Sequence, residues 1–110
     1  MAFNSIALVP GSKDHSTALE NDRQIATGAG RLLQLSVYND KATAQYIQLH
    51  DVAAAPNDGA VPFFIFEIAP KTLASIVAKS FTLGLYVCNS STAATKTIGG
   101  NDCWFYSERK

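Results

Sequence analysis

The chain has 110 residues, 47% hydrophobic and only 16% charged, and its nine basic and nine acidic residues cancel. That length fits one domain with one core, and without a basic stripe there is no electrostatic footprint for nucleic acid. No apolar run reaches the roughly 18 residues of a membrane span, and no basic-then-apolar leader is visible, so neither a membrane nor a secretory route is expected.

Residues 1–22 differ from the remainder of the chain. Ser5 to Val9 fits a short strand stopped by Pro10-Gly11, a strong turn signal, and Ser12 to Asp22 is polar and reads as an irregular segment. We therefore expect an N-terminal arm over 1–22 and a β-sandwich domain over 23–110. Arg23 to Thr27 fits a strand, ended by Gly28-Ala29-Gly30. This Gly-x-Gly lacks the third glycine and the following helix of a dinucleotide site, so it reads as a corner.

From Arg31 the pattern sharpens. Leu33, Leu35 and Val37 alternate with Gln34, Ser36 and Tyr38, the period of a half-buried strand. Asn39-Asp40-Lys41 supplies turn chemistry, and Ala44 to Asp51 runs back with Ile47 and Leu49 on one face, so the two segments read as an antiparallel hairpin. Pro56 to Gly59 forms a loop. Val61 to Ala69 is the densest aromatic and β-branched run, apolar on both faces, and is expected to be the strand that organises the domain, with Phe63 and Phe66 in the core.

Leu73, Ile76 and Val77 would also fit a turn and a half of helix, and Thr72 to Lys79 is read as a short edge strand. Phe81 to Cys88 is the second strong strand, with Phe81, Leu83, Leu85 and Val87 inward. Gly84 within it suggests a bulge or a close backbone approach. Asn89 to Thr97 is a polar loop, and Gly99 to Asp102 turns into a last strand, Cys103 to Ser107. Six to eight short strands without an amphipathic helix give an all-β fold, a sandwich or barrel.

Few residues suggest chemistry. Cys88 and Cys103, without a Cys-x-x-Cys spacing, are expected to be reduced, buried thiols that bind no metal. His50 and Asp51 are neighbours on a strand and point to opposite faces, and no nucleophile elbow is present. Glu67 reads as an edge or end position reaching water, with an interface ion pair as the alternative. Asn89-Ser90-Ser91 matches the N-glycosylation pattern only incidentally. Trp104, Phe105 and Tyr106 read as core and sheet-face residues. We expect no enzyme, catalytic residue, cofactor or metal.

Ala44 to Asp51, Pro56 to Pro62 with Gly59-Ala60-Val61, Phe81 to Thr92 and Asn101 to Phe105 resemble segments of small β-sandwich virion proteins of tailed bacteriophages. The resemblance spans about Arg31 to Tyr106, and the first thirty residues carry no part of it. It implies a jelly-roll-like antiparallel sandwich and a structural role, with no active site to transfer. On that basis the expected function is capsid decoration (cement): the protein, made in the host cytoplasm, binds the major capsid protein on the outer shell of the virion and stabilises it. Self-association into a homo-oligomer is a further expectation. The alternatives are a tail or fibre component, a carbohydrate-binding sandwich using Trp104, Tyr86 and Tyr106, or, more remotely, a small hydrolase. Phe3, Ile6, Leu8 and Val9 form the candidate partner interface. That segment either adds an edge strand to the domain's own sheet or orders against a neighbour by strand addition.

Overall fold

Eight strands build two four-stranded sheets in the computed structural model, which describes residues 12–97 and 100–110 without the side chains of Val77 and Ala78. The expected strand over 5–9 and the candidate interface of Phe3, Ile6, Leu8 and Val9 lie outside the described residues. The strands are β1 (Ser12–His15), β2 (Asp22–Thr27), β3 (Gly30–Asn39), β4 (Gln45–His50), β5 (Phe64–Ile68), β6 (Thr72–Phe81), β7 (Gly84–Ser90) and β8 (Cys103–Arg109). Sheet A has the order β1-β8-β3-β6 and sheet B the order β2-β7-β4-β5, with every pairing antiparallel. Between the sheets lies one core, centred on the fully buried Leu32, Leu35, Val37, Ile47, Leu49, Leu85 and Val87, with Phe105 beside them. The protein is thus an all-β antiparallel sandwich.

Several expectations need correction. Residues 12–22 are not irregular throughout: Ser12–His15 pairs with β8 as the edge of sheet A. A strand with one solvent face needs backbone pairing more than apolar side chains, so its polar sequence hid it. The expected hairpin of β3 and β4 does not exist, because the two strands belong to different sheets. The buried Asn39 explains the crossing. Its Nδ2 donates to Thr43 O at 3.0 Å and Ala69 O at 3.2 Å, and its Oδ1 accepts from Lys41 N at 3.0 Å. These bonds tie the crossover to the end of β5 instead of closing a tight turn.

In β3 the leucine buried alongside Leu35 is Leu32, not Leu33, because a bulge against β8 between Leu32 and Gln34 shifts the side-chain alternation. Val61 to Ala69 is not a central strand: only Phe64–Ile68 pairs, at the edge of sheet B. Phe63 is 44% exposed and Val61 76%, so Phe63 is not core, while Phe64 and Phe66 are half-buried against the core from one side. Lys79 of β6 places its Nζ 3.9 Å from the Phe64 ring centroid, a cation–π contact between the facing edges of the two sheets. Glu67 is exposed, as expected of an edge position.

The run Phe81 to Cys88 is likewise split. Phe81 ends β6, Gly84 begins β7, and Leu83 sits in the turn between them, 61% exposed instead of inward. Asp51 holds this turn by accepting from Leu83 N at 2.8 Å, Thr82 N at 3.0 Å and Thr82 Oγ1 at 3.1 Å. These donors hold the Asp51 carboxyl below the usual carboxylate range, the Leu83 amide most strongly. The close approach expected at Gly84 is present, since a Cβ there would lie 2.5 Å from Val52 O and 3.0 Å from Ala26 O.

Candidate functional site: the two outer faces

The sandwich has two outer faces, and they are built differently. On sheet B the outward side chains of β4 and β7 include Tyr46, Gln48 and His50, and Tyr86, Cys88 and Ser90. Gln48, His50, Cys88 and Ser90 are nevertheless buried. The chain itself covers them. Gly59 N donates to Lys96 O and Lys96 N to Ala60 O, both at 2.8 Å, joining the loop after β4 to the loop after β7. Gln48 Nε2 donates into the roof, to the carbonyls of Ala93, Thr92 and Thr95 at 2.9–3.0 Å, and its Oε1 accepts from His50 Nε2 at 3.0 Å.

Ser90 Oγ donates to Thr92 O at 2.7 Å and accepts from Thr97 N at 3.0 Å. Lys96, only 5% exposed, donates to Pro56 O at 2.8 Å and lies 3.6 Å from Asp22. Burial, and then the charge of Lys96 nearby, lowers the pKa of His50 and so favours its neutral form. A buried polar network this fully paired makes a rigid cover, not an open reaction centre.

Sheet A has no such roof. Its outward side chains form cross-strand rows set by register: Trp104, Tyr38 and Leu73 in one, and His15, Tyr106, Ser36 and Ser75 in the next. Trp104 is 42% exposed, Tyr106 40% and Leu73 64%. With Ser16 and Thr17 they line a groove of about 620 Å³, within the usual range for ligand sites. The Ser36 and Ser75 hydroxyls bond each other at 2.8 Å, and His15 Nδ1 donates to Ser16 O at 2.9 Å. Apart from His15, the lining contains no acidic or basic side chain.

The chain wall beside the groove is anchored. Phe105 N donates to Ser16 Oγ at 3.0 Å, and Ser16 N donates to Phe105 O at 2.8 Å. Arg23 of β2 reaches across to Asp14 of β1, donating from Nε at 2.6 Å and Nη2 at 2.9 Å, and also to Glu20 at 3.0 Å. This bidentate pair links the edges of the two sheets. Hydrogen bonding from Arg23 holds the Asp14 carboxyl below its usual range.

The residues singled out from sequence distribute unevenly over these faces. Trp104 and Tyr106 lie together on sheet A, joined by Tyr38 and Leu73, whereas Tyr86 is on sheet B and takes no part. Sequence reading had Tyr38 only as the polar phase of a strand; its register opposite Trp104 was not legible without the pairing. His50 and Asp51 are separated, one beneath the roof and one capping the β6–β7 turn. Both cysteines are free and buried. Cys103 joins the core, while Cys88 lies on the roofed side of sheet B, opposite Gln48 and Asp22. Burial pushes both thiols up to about 12. Among the described residues no group of three His, Cys, Asp or Glu could hold a metal ion. The chain matches no family model, and neither a curated protein nor a solved structure matches it.

Proposed function

We propose that this protein is a structural component of a tailed-phage virion, a capsid decoration (cement) protein of jelly-roll type that binds the major capsid protein on the outer shell. The observation that supports this most directly is the strand order. β1 pairs with β8, β2 with β7, β3 with β6 and β4 with β5, and the β8–β3 and β7–β4 pairings close the two sheets. Such a chain is one long hairpin rolled upon itself, the arrangement of jelly rolls, which are frequent in viral shells. The sheet B network serves stability, which suits a binding part better than a catalyst.

Docking is assigned to the start of the chain. Phe3, Ile6, Leu8 and Val9 directly precede β1, an edge strand paired only with β8 among the described residues. A strand edge without a second partner among the described residues, preceded by apolar residues, favours strand addition to a neighbour or to a second copy. Many weak attachments of this kind stabilise a shell through their summed binding free energy.

The test compares the full chain with a deletion of residues 1–11, which leaves β1 and the Asp14–Arg23 pair intact. Undecorated shells should take up the full chain to a fixed ratio with the major capsid protein and melt higher, while the deletion folds but does not bind. A full chain absent from purified virions and without affinity for shells rejects the proposal. A copy number fitting a tail instead moves the protein to the tail or fibre.

A further inference from the structure

We propose that the groove on sheet A is a binding site for a short neutral saccharide, whose rings stack on Trp104, Tyr38 and Tyr106. This inference does not rest on the virion reading; a decoration protein, a fibre part or a free module could each carry the site.

Three observations lead to it. The first is ring placement. Trp104 and Tyr106 are two residues apart on β8 and so project from the same face, roughly 6.6 Å apart along the strand, and Tyr38 stands directly opposite Trp104 on β3. Three rings from two paired strands thus form one platform, with Leu73 extending it on β6. Exposed aromatic rings in a row offer stacking surface to flat, C–H-rich ring faces, because the electron-rich face of each aromatic attracts weakly positive hydrogens.

The second observation is the chemistry of the margin. Thr17, Ser36 and His15 flank the rings, whereas the buried Ser16 hydroxyl is engaged by Glu20 and the Phe105 amide. Hydroxyl groups both donate and accept hydrogen bonds, which suits a ligand bearing hydroxyls around each ring. A proline-rich peptide, the other common guest of aromatic grooves, presents carbonyl acceptors and apolar rings and makes no use of acceptors in the wall. The third is charge. No acid or lysine or arginine lines the groove, so nothing there selects an anionic or cationic guest, and a nucleic acid would find no partner for its phosphates.

The platform is also held in place before any ligand arrives. Tyr38, Trp104 and Tyr106 sit on the two central strands of sheet A, each paired on both sides. Rigid elements keep the ordering cost of binding low.

The experiment uses the full chain, in which Trp104 is the single tryptophan. Cellohexaose, chitohexaose and maltohexaose are each titrated to the solubility limit, followed by Trp104 fluorescence and by 15N–1H spectra, with decaproline as the rival probe. At least one saccharide should give a saturable change, with shifted amides confined to β3, β8 and His15 to Thr17. Trp104→Ala should weaken that binding by about tenfold or more, a difference of about 1.4 kcal/mol. Tyr38→Ala serves as an independent second variant, and Tyr86→Ala on sheet B should bind like the native chain. No saturable response to any of the three saccharides overturns the proposal, as does a response to decaproline alone. Saccharide binding that survives both Trp104→Ala and Tyr38→Ala overturns the assignment to this groove.

Discussion

The two outer faces of this sandwich come from the same alternation of side chains and end in opposite states. On sheet B, outward Gln48, His50, Cys88 and Ser90 are sealed under loops 51–63 and 91–97. On sheet A, outward Trp104, Tyr38, Tyr106 and Leu73 remain open. By side-chain polarity alone the assignment should be reversed, with polar residues facing water and aromatics covered. The difference teaches that cover is decided by where loops can bond. Gln48 and Ser90 bring amide and hydroxyl groups that satisfy the carbonyls and amides of a loop lying on them, which a loop buried against sheet A's rings would lack.

The wall between the faces should be the most sensitive position. Leu49→Ala, on β4 with its side chain fully buried, should cost about 2–5 kcal/mol in chemical denaturation. A cost below about 1 kcal/mol would mean that the sheets do not pack as described.

Next comes the roof. Gln48→Ala leaves the Ala93 carbonyl without its side-chain donor and takes one donor from the Thr92 and Thr95 carbonyls, which keep Ser90 Oγ and Thr92 Oγ1, and should cost about 1–3 kcal/mol. It should also make Cys88 react faster than Cys103 toward a thiol reagent, since only Cys88 lies beneath the loops. In the native protein both thiols should react slowly, and both should titrate after denaturation. Equal reactivity of the two thiols in the variant would show that the roof is not what shields Cys88.

Acid separates two kinds of contact. His50, Asp51 and Asp14 all have lowered folded pKa values. In each case the unfolded chain binds the proton more readily, so stability is present above the unfolded value and is lost as pH falls through the folded one. The His50 contribution should therefore begin to fade below about pH 6.5, and those of Asp51 and Asp14 only below about pH 4. Melting temperatures from pH 8 to pH 3 should fall in two stages. His50→Gln should abolish the upper stage and leave the lower one, and an unchanged upper stage would transfer it to another group.

Trp104→Ala should have the smallest effect on stability, about 1 kcal/mol or less, because it removes one cross-strand partner of Tyr38 from an open face. A loss as large as that of Leu49→Ala would mean that the ring serves the core and not a ligand.

By itself the sequence determined the strand class and most strand positions. Alternating and β-branched runs, broken by Pro10-Gly11, Gly28-Ala29-Gly30 and Pro56 to Gly59, favour strands throughout. At Thr72 to Lys79, however, the spacing of Leu73, Ile76 and Val77 also fits a short helix, and only the pairing with β3 makes it a strand. The sequence also located the Gly84 approach and the inward Leu85 and Val87. Three further matters were decided only by tertiary structure. Sheet membership put β3 and β4 in different layers, because buried Asn39 bonds the crossover to the end of β5. Strand rank placed the most apolar run at an edge, where Phe63 is exposed and Lys79 shields Phe64. Register set Tyr38 opposite Trp104 and left Tyr86 on the other sheet. All three depend on pairings between residues tens of positions apart, and the local pattern that selects a strand is the same whichever partner it finds.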